Sequence, residues 1–173
     1  MGATKLSVFT VESDPRCYSF AQARLWRCRN VRLLLGDSRA GLRAIFAGSL
    51  RHVTMRPLFV YLDAHWNEDL PLAEELKIVF GACQLAIVMV DDFEVPLDAG
   101  YGFDDYGPGK ALTSAYIAPI IASQGLRAFY PSTPSAKDTG MRRGCFVLAK
   151  DSIHIPTLSS LSLLTSITNG GQS

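Results

Sequence analysis

The sequence lacks a clear excess of charge of either sign. It has 17 Lys and Arg against 16 Asp and Glu, a formal net charge of +1 over 173 residues. Proteins that bind nucleic acid or anionic membranes through their overall charge are more basic than this. We therefore expect no nucleic acid and no membrane as a partner, although the overall balance says nothing against a local basic patch.

Long apolar runs, a signal peptide and paired cysteines are also missing. No apolar run reaches the ~18 to 20 residues of a membrane span, and the first residues, MGATKLSVFTVE, lack the charged and then apolar layout of a signal peptide. Cys17, Cys28, Cys83 and Cys145 form no CxxC pair and have no histidine at ligand spacing. This pattern favours free, mostly buried thiols over a zinc site or a disulfide framework, and it predicts a cytoplasmic protein.

What the sequence does contain is an alternation of short apolar runs and amphipathic stretches. The apolar runs predict strands at 5–11, 31–35, 57–62, 85–90, 126–130 and 145–149, and the stretches between them predict helices near 14–27, 38–50, 70–80 and 110–123. Such an alternation indicates βαβ units, hence an α/β domain over residues 1–150 with a mostly parallel sheet. The last two strands predict an antiparallel C-terminal hairpin, and residues 151–173 predict a loosely ordered tail.

Two of the predicted strands end abruptly in acid. Asp63 follows PLFVYL, while Asp91 and Asp92 follow LAIVMV. Neighbouring parallel strands lie about 4.8 Å apart, so these carboxylates are placed to converge on one hard cation at the carboxyl edge of the sheet, where α/β sheets bind ligands. The alternative is that Asp91 and Asp92 point to opposite sides and that one of them caps the next segment.

His65 lies two residues after Asp63 and beside Trp66. With an ordinary pKa near ~6.5, it is suited to take a proton from a substrate hydroxyl or to ligate the cation; packing against Trp66 is the structural alternative. The segment between Asp92 and Lys110 is too long for a simple connector, which predicts a lid or a substrate loop whose Asp104 is solvated.

Acids also follow the first two predicted strands. A carboxylate at the position of Glu12 accepts two hydrogen bonds from a ribose diol in nucleotide-binding folds, but it is equally typical of a solvated turn. Asp37 would then lie near an adenine amino group. Asp37 and Ser38 are also typical helix caps, and capping does not exclude the second role.

In sequence order, VFTVESDP, VRLLLGDS, LFVYLDAHW and IVMVDDF resemble the second to fifth strands of class I S-adenosylmethionine-dependent methyltransferases. The resemblance runs from about Lys5 to Lys150 and implies a three-layer Rossmann-like sheet with a reversed last strand. The LDxH and DDF motifs look most like those of the metal-dependent, macrocin-type O-methyltransferases, which act on sugar hydroxyls. The implied reaction is methyl transfer from S-adenosylmethionine to a hydroxyl of a small-molecule acceptor.

The resemblance also implies roles for individual residues. It implies Mg²⁺ or another divalent cation on Asp63, Asp91 and Asp92, and His65 as the general base where the family usually has an acid. Cofactor contacts are implied at Glu12, Asp37, Ser38, Asp63 and Ala64.

The family's first strand and its glycine-rich turn have no counterpart before Lys5. The sequence therefore predicts a truncated or degenerate methyltransferase-like domain with a gap between the strands that end at Glu12 and Asp63. We expect the gap to be closed by direct pairing of those strands, by the tail segment 158–164, or by a partner chain in a homo-oligomer. Two other functions stay open: a non-catalytic binding or assembly domain, and a metal-dependent hydrolase that uses the same acids and His65.

Overall fold

The chain forms two compact units, each with its own sheet. The computed structural model describes residues 6–51, 56–64, 69–150 and 154–167. The units are Met1–His52 and Val53–Ser173, with a two-stranded and a five-stranded sheet respectively. The predicted α/β class is confirmed.

The first unit consists of two successive strand–helix pairs. Its elements are β1 (Val8–Glu12), α1 (Pro15–Leu25), β2 (Val31–Leu35) and α2 (Ser38–Ala47), and the two strands are parallel. The predicted start of α1 is confirmed, because Asp14 is its N-cap and accepts hydrogen bonds from the N–H groups of Arg16 and Cys17. Pro15 occupies the first helical position, where its missing N–H leaves no hydrogen bond unmade.

The second unit carries the larger sheet. Its elements are β3 (Leu58–Leu62), α3 (Leu72–Ala82), β4 (Ala86–Val90), α4 (Ser114–Gln124), β5 (Leu126–Pro131), β6 (Phe146–Lys150), α5 (Ile155–Ser160) and β7 (Leu164–Ser166). The strand order is β3-β4-β6-β5-β7. β3 and β4 are parallel, whereas the pairs β4–β6, β5–β6 and β5–β7 are antiparallel. Strands β3, β4 and β5 therefore run in one direction, and β6 and β7 run in the other.

The prediction of a mostly parallel sheet is wrong, while the antiparallel hairpin of β5 and β6 is confirmed. Strand direction is decided by long-range pairing. β6 lies between β4 and β5 and runs opposite to both, so both of its pairings are antiparallel. The pairing of β7 with β5 is a third antiparallel pair. The parallel strands β1 and β2 form the two-stranded sheet of the first unit.

The core of the second unit is built around aromatic side chains. Four phenylalanines in it have no exposed area: Phe80, Phe93, Phe129 and Phe146. Helix α3 buries Leu72, Leu76 and Val79, whose spacing of four and three residues places them on one helical face. This inward face is the one that the sequence predicts.

The C-terminal segment is more ordered than predicted. Within 151–173 the structure describes residues 154–167, which form α5 and β7, and Ile155 and Leu158 pack in a buried cluster with Phe129. The expectation of a loosely ordered tail is corrected for these residues. They do not fill a gap beside β3 either, since β7 pairs with β5 at the opposite edge of the sheet.

Direct pairing of β1 with β3, another predicted closure of the gap, would join two different units and stays a prediction. A partner chain stays a prediction.

Among the helices of the described ranges, none has the length and apolar character of a membrane span. All four cysteines are free thiols, but Cys17 and Cys28 are exposed, which corrects the expectation that most of them are buried.

Candidate functional site

The ends of β3 and β4 bring the predicted acids to one edge of the sheet. Leu62 and Val90 are paired across the two parallel strands, so Asp63 and Asp91 leave the sheet side by side. The backbone N–H of Asp91 donates to the carbonyl of Leu62 over 3.1 Å, which extends the ladder by one bond. The backbone pairing therefore brings the ends of these two strands to one edge of the sheet, as the sequence predicts.

Asp92 turns the chain away from the strand direction. Its φ of 52° lies in the left-handed region, where a residue with a side chain is uncommon and strained. Its N–H donates to Asp91 Oδ1 over 3.0 Å, and its carbonyl accepts from the N–H of Asp104 over 2.9 Å. The chain therefore turns directly after Asp91, and the alternative that Asp91 and Asp92 point to opposite sides stays a prediction.

A pocket of about 580 Å³ lies at this edge of the sheet. It is lined by Asp63, Asp91, Asp92, Asp138, Met141, Arg142 and Arg143. The last four belong to the loop between β5 and β6, and the first three to the ends of β3 and β4. The pocket therefore carries four carboxylates and two guanidinium groups, a predominantly acidic lining that favours hydroxyl donors and cations.

Tyr61 and Asp91 form one side of the hydrogen-bond network in this pocket. The Tyr61 hydroxyl donates to Asp91 Oδ2. Partial burial, followed by the hydrogen bond and the charge of Asp91, raises the pKa of the Tyr61 phenol above its ordinary value. Tyr61 therefore stays a neutral hydrogen-bond donor at physiological pH.

Arg143 forms the other side of the network. Its Nε donates to Asp92 Oδ1 and its terminal nitrogen to Asp104 Oδ1, so one guanidinium bridges two carboxylates. All three side chains are between one fifth and about one third exposed, at 34% for Arg143, 23% for Asp92 and 21% for Asp104. The hydrogen bond to Asp92 is the largest cause that raises the pKa of Arg143, which is positive at every accessible pH.

Sequence reasoning missed this network. Asp104 was expected to be solvated, but it is held by Arg143 and also accepts from the Tyr106 hydroxyl. The only sequence signal is the Arg142–Arg143 pair ahead of β6, and adjacent arginines in a polar loop carry no specific meaning.

Alkaline unfolding is a direct probe of Tyr106. Burial and the hydrogen bond to Asp104 raise the pKa of Tyr106 to about 12, against about 10 in the unfolded chain. A raised pKa stabilises the fold below about pH 10, and this contribution is lost as pH rises toward about 12. We expect urea unfolding midpoints to fall less in Tyr106→Phe than in the wild type between about pH 9 and about pH 11. An equal fall in both proteins would contradict the assignment.

The predicted cofactor residues of the first unit make local contacts. Glu12 Oε1 accepts from the N–H of Asp14 over 2.9 Å, as a turn acid does. Asp37 is the N-cap of α2 and pairs with Arg39 at 2.7 Å; this hydrogen bond is the largest of the causes that lower the pKa of Asp37 to about 2. Ser38 is the first residue of α2. These contacts agree with the capping roles, and a role in binding cofactor stays a prediction.

Two further predicted residues lie beside β3. Ala64 follows Asp63 directly and is partly buried. His65, the predicted base, lies outside the described residues, so its assignment also stays a prediction.

The pocket has the carboxylate ligands that Mg²⁺ prefers, but two of these carboxylates are already engaged by other side chains. Carboxylate oxygens are the ligands that Mg²⁺ prefers. However, Asp92 is engaged by Arg143 and Asp91 by Tyr61. Across residues 6–51, 56–64, 69–150 and 154–167, no group of three or more His, Cys, Asp or Glu side chains is arranged to hold a metal ion. The described residues therefore do not fit the implied metal.

No protein-family model matches the chain, and no curated protein matches it significantly in sequence.

Proposed function

We propose that this chain is a methyltransferase-like domain with a Rossmann-like ancestry, which transfers a methyl group from S-adenosylmethionine to a hydroxyl of a small molecule. The observation that carries the proposal is the pocket at the ends of β3 and β4, where Asp63, Asp91 and Asp92 meet. The reversed strand β6, antiparallel to both β4 and β5, adds support because the resemblance implies a reversed last strand.

The acceptor half of the site is formed by carboxylates. Asp63 and Asp91 accept hydrogen bonds from neighbouring hydroxyls of the acceptor, which orients one oxygen for in-line attack on the sulfonium methyl group. The proton of that hydroxyl passes to His65, and the products are a methyl ether and S-adenosylhomocysteine. No step runs through Mg²⁺, since Arg143 already holds Asp92.

Residues of the first unit are proposed to bind S-adenosylmethionine. Glu12 is proposed to hold the ribose diol, with Asp37 and Ser38 at the adenine side. We also propose that the protein is cytoplasmic, because free thiols persist in a reducing compartment.

Calorimetric titration with S-adenosylmethionine, with and without MgCl₂, tests the cofactor half. We expect a dissociation constant below about 1 mM for the wild type and at least about tenfold weaker binding for Glu12→Gln. Glutamine keeps an oxygen for the N–H of Asp14 but loses the charge that favours a diol.

Asp14→Asn is the matched control for Glu12→Gln. It removes the same charge two residues away, and asparagine still caps α1. We expect it to change the affinity less than about threefold. Absence of binding by the folded wild type, or equal losses in both variants, would overturn the enzymatic proposal.

A non-catalytic binding domain is the second candidate. It is favoured by the contacts of Arg143 with Asp92 and of Tyr61 with Asp91, which engage the acids in internal hydrogen bonds. Binding of a polyol without any binding of S-adenosylmethionine would support this candidate.

A further inference from the structure

We propose that Arg143 is a resident cation of the acidic pocket, which occupies Asp92 in place of a divalent metal ion and keeps such ions out. Arg143 acts as a positioning residue, since it holds Asp92 and Asp104 and is assigned no step in the reaction. The inference rests on the pocket of the proposed function, but it does not require that methyl transfer takes place.

The bridging contact is the first observation behind this role. A guanidinium presents several N–H donors in a rigid plane. Arg143 donates from two different nitrogens of that plane to two different carboxylates. Asp92 Oδ1 accepts from Arg143 Nε, and this carboxylate lies at the end of β4, where the implied metal would need it. A metal ion that binds Asp92 through Oδ1 has to displace the guanidinium, and one that binds through the other oxygen lies beside its positive charge.

The backbone on both sides of Arg143 is held by hydrogen bonds. On the N-terminal side, the carbonyl of Arg142 accepts from the N–H of Gly102 over 2.8 Å. On the C-terminal side, Gly144 donates to the carbonyl of Gly102 over 2.8 Å and accepts from the N–H of Phe93 over 2.9 Å. The residues on both sides of Arg143 are therefore hydrogen-bonded to the segments that carry its two carboxylate partners.

The partner carboxylates are held by the same ties. Phe93 directly follows Asp92, and Gly102 lies two residues before Asp104. The N–H of Asp104 also donates to the carbonyl of Asp92 over 2.9 Å. Because the backbone that carries the donor and the acceptors is already held by hydrogen bonds, little backbone entropy is lost when the ion pairs form.

Charge makes the exclusion of a metal ion effective. The guanidinium keeps its charge at any working pH, so displacing it leaves a positive group beside a doubly charged ion. This repulsion is stronger than it would be in bulk water, because the site is partly buried: the side chain of Asp92 is 23% exposed. Arg142 lines the same pocket, but it is exposed and has no such bridging contact among the interactions of the described residues.

Titration of the full chain with Mn²⁺, followed by the electron paramagnetic resonance of the free ion, tests this role. We expect the wild type to bind Mn²⁺ with a dissociation constant above about 1 mM and Arg143→Gln to bind it at least about tenfold more tightly. A merely structural role for Arg143 predicts the opposite, because a damaged pocket loses affinity.

Arg142→Gln is the matched control, since it removes the same charge from the neighbouring position. We expect it to change Mn²⁺ affinity less than about threefold. Adding Asp92→Asn to Arg143→Gln should abolish the gain, because the freed carboxylate is then missing. Equal gains in the two glutamine variants, a gain that survives Asp92→Asn, or wild-type binding tighter than about 0.1 mM that Asp92→Asn removes would each overturn the proposal.

If Arg143→Gln does not fold, as judged by far-ultraviolet circular dichroism, Arg143→Lys carries the test against Arg142→Lys. Lysine keeps the charge but cannot bridge two carboxylates from one rigid plane. We expect Arg143→Lys to bind Mn²⁺ at least about threefold more tightly than Arg142→Lys, and equal affinities would overturn the proposal. S-adenosylmethionine is absent from these titrations, so their outcome is independent of the cofactor test.

Discussion

Replacing Phe146 with alanine is expected to lower the free energy of unfolding of the second unit by about 3 to 5 kcal/mol. Phe146 has no exposed area and stacks on Phe93 with ring centroids 3.8 Å apart. It also pairs with Val90 on β4, next to the acids of the pocket. The truncation leaves a cavity in the core that its neighbours cannot fill without moving. Urea unfolding followed by far-ultraviolet circular dichroism measures the loss.

Phe59→Ala is the control for this substitution, since it makes the same change in the same unit. Phe59 lies on β3 and is 63% exposed. We expect a loss below about 1 kcal/mol, mostly from the weaker strand propensity of alanine. Equal losses at the two positions would show that Phe146 is not the core residue described here.

Replacing Gly144 with alanine is expected to cost about 2 to 4 kcal/mol of the free energy of unfolding. An added Cβ would lie 2.1 Å from the carbonyl oxygen of Phe93 and 2.9 Å from a methyl group of Val95. The Phe93 oxygen belongs to the backbone that continues from β4, so it cannot rotate away as a flexible side chain does. The same denaturant unfolding measures this loss.

Gly81→Ala is the matched control for Gly144→Ala. Gly81 lies in α3, and a Cβ there meets no atom within 4 Å. Alanine is the better helix former, so we expect Gly81→Ala to stabilise the unit by about 0.4 to 1 kcal/mol. A Gly144→Ala protein as stable as the wild type would contradict the close approach of Gly144 to Phe93.

The function of the pocket depends on which cation neutralises its acids. With a fixed guanidinium, the site would be a hydrogen-bonding surface for hydroxyl groups, and Asp63 and Asp91 would face the proposed acceptor. A divalent ion would instead bind the acceptor oxygens directly and lower the pKa of a hydroxyl. The Mn²⁺ titration separates these cases, because it measures whether a divalent ion can bind at Asp92. The cofactor titration tests Glu12 and is independent of them.

Most of the secondary structure could be predicted from the sequence. The runs expected at 57–62 and 85–90 became β3 and β4 within one residue at each start. Short, fully apolar runs that stop at an acid are local signals, and so is the Asp14–Pro15 start of α1. Sheet direction could not be predicted in the same way, because β6 reaches its place between β4 and β5 through pairings with residues far away in the chain.

The candidate site, too, has one part that the sequence determined and another that only the tertiary structure decided. By itself the sequence determined that Asp63, Asp91 and Asp92 end two neighbouring parallel strands, because alternating strands and helices bring strand ends to one edge. Only the tertiary structure decided that an arginine neutralises Asp92. The partner of Asp92 is 51 residues away in a polar loop, and the backbone hydrogen bonds of Gly102, Phe93 and Gly144 place it there. Charge attraction depends on distance in space, and spacing along the chain does not specify that distance.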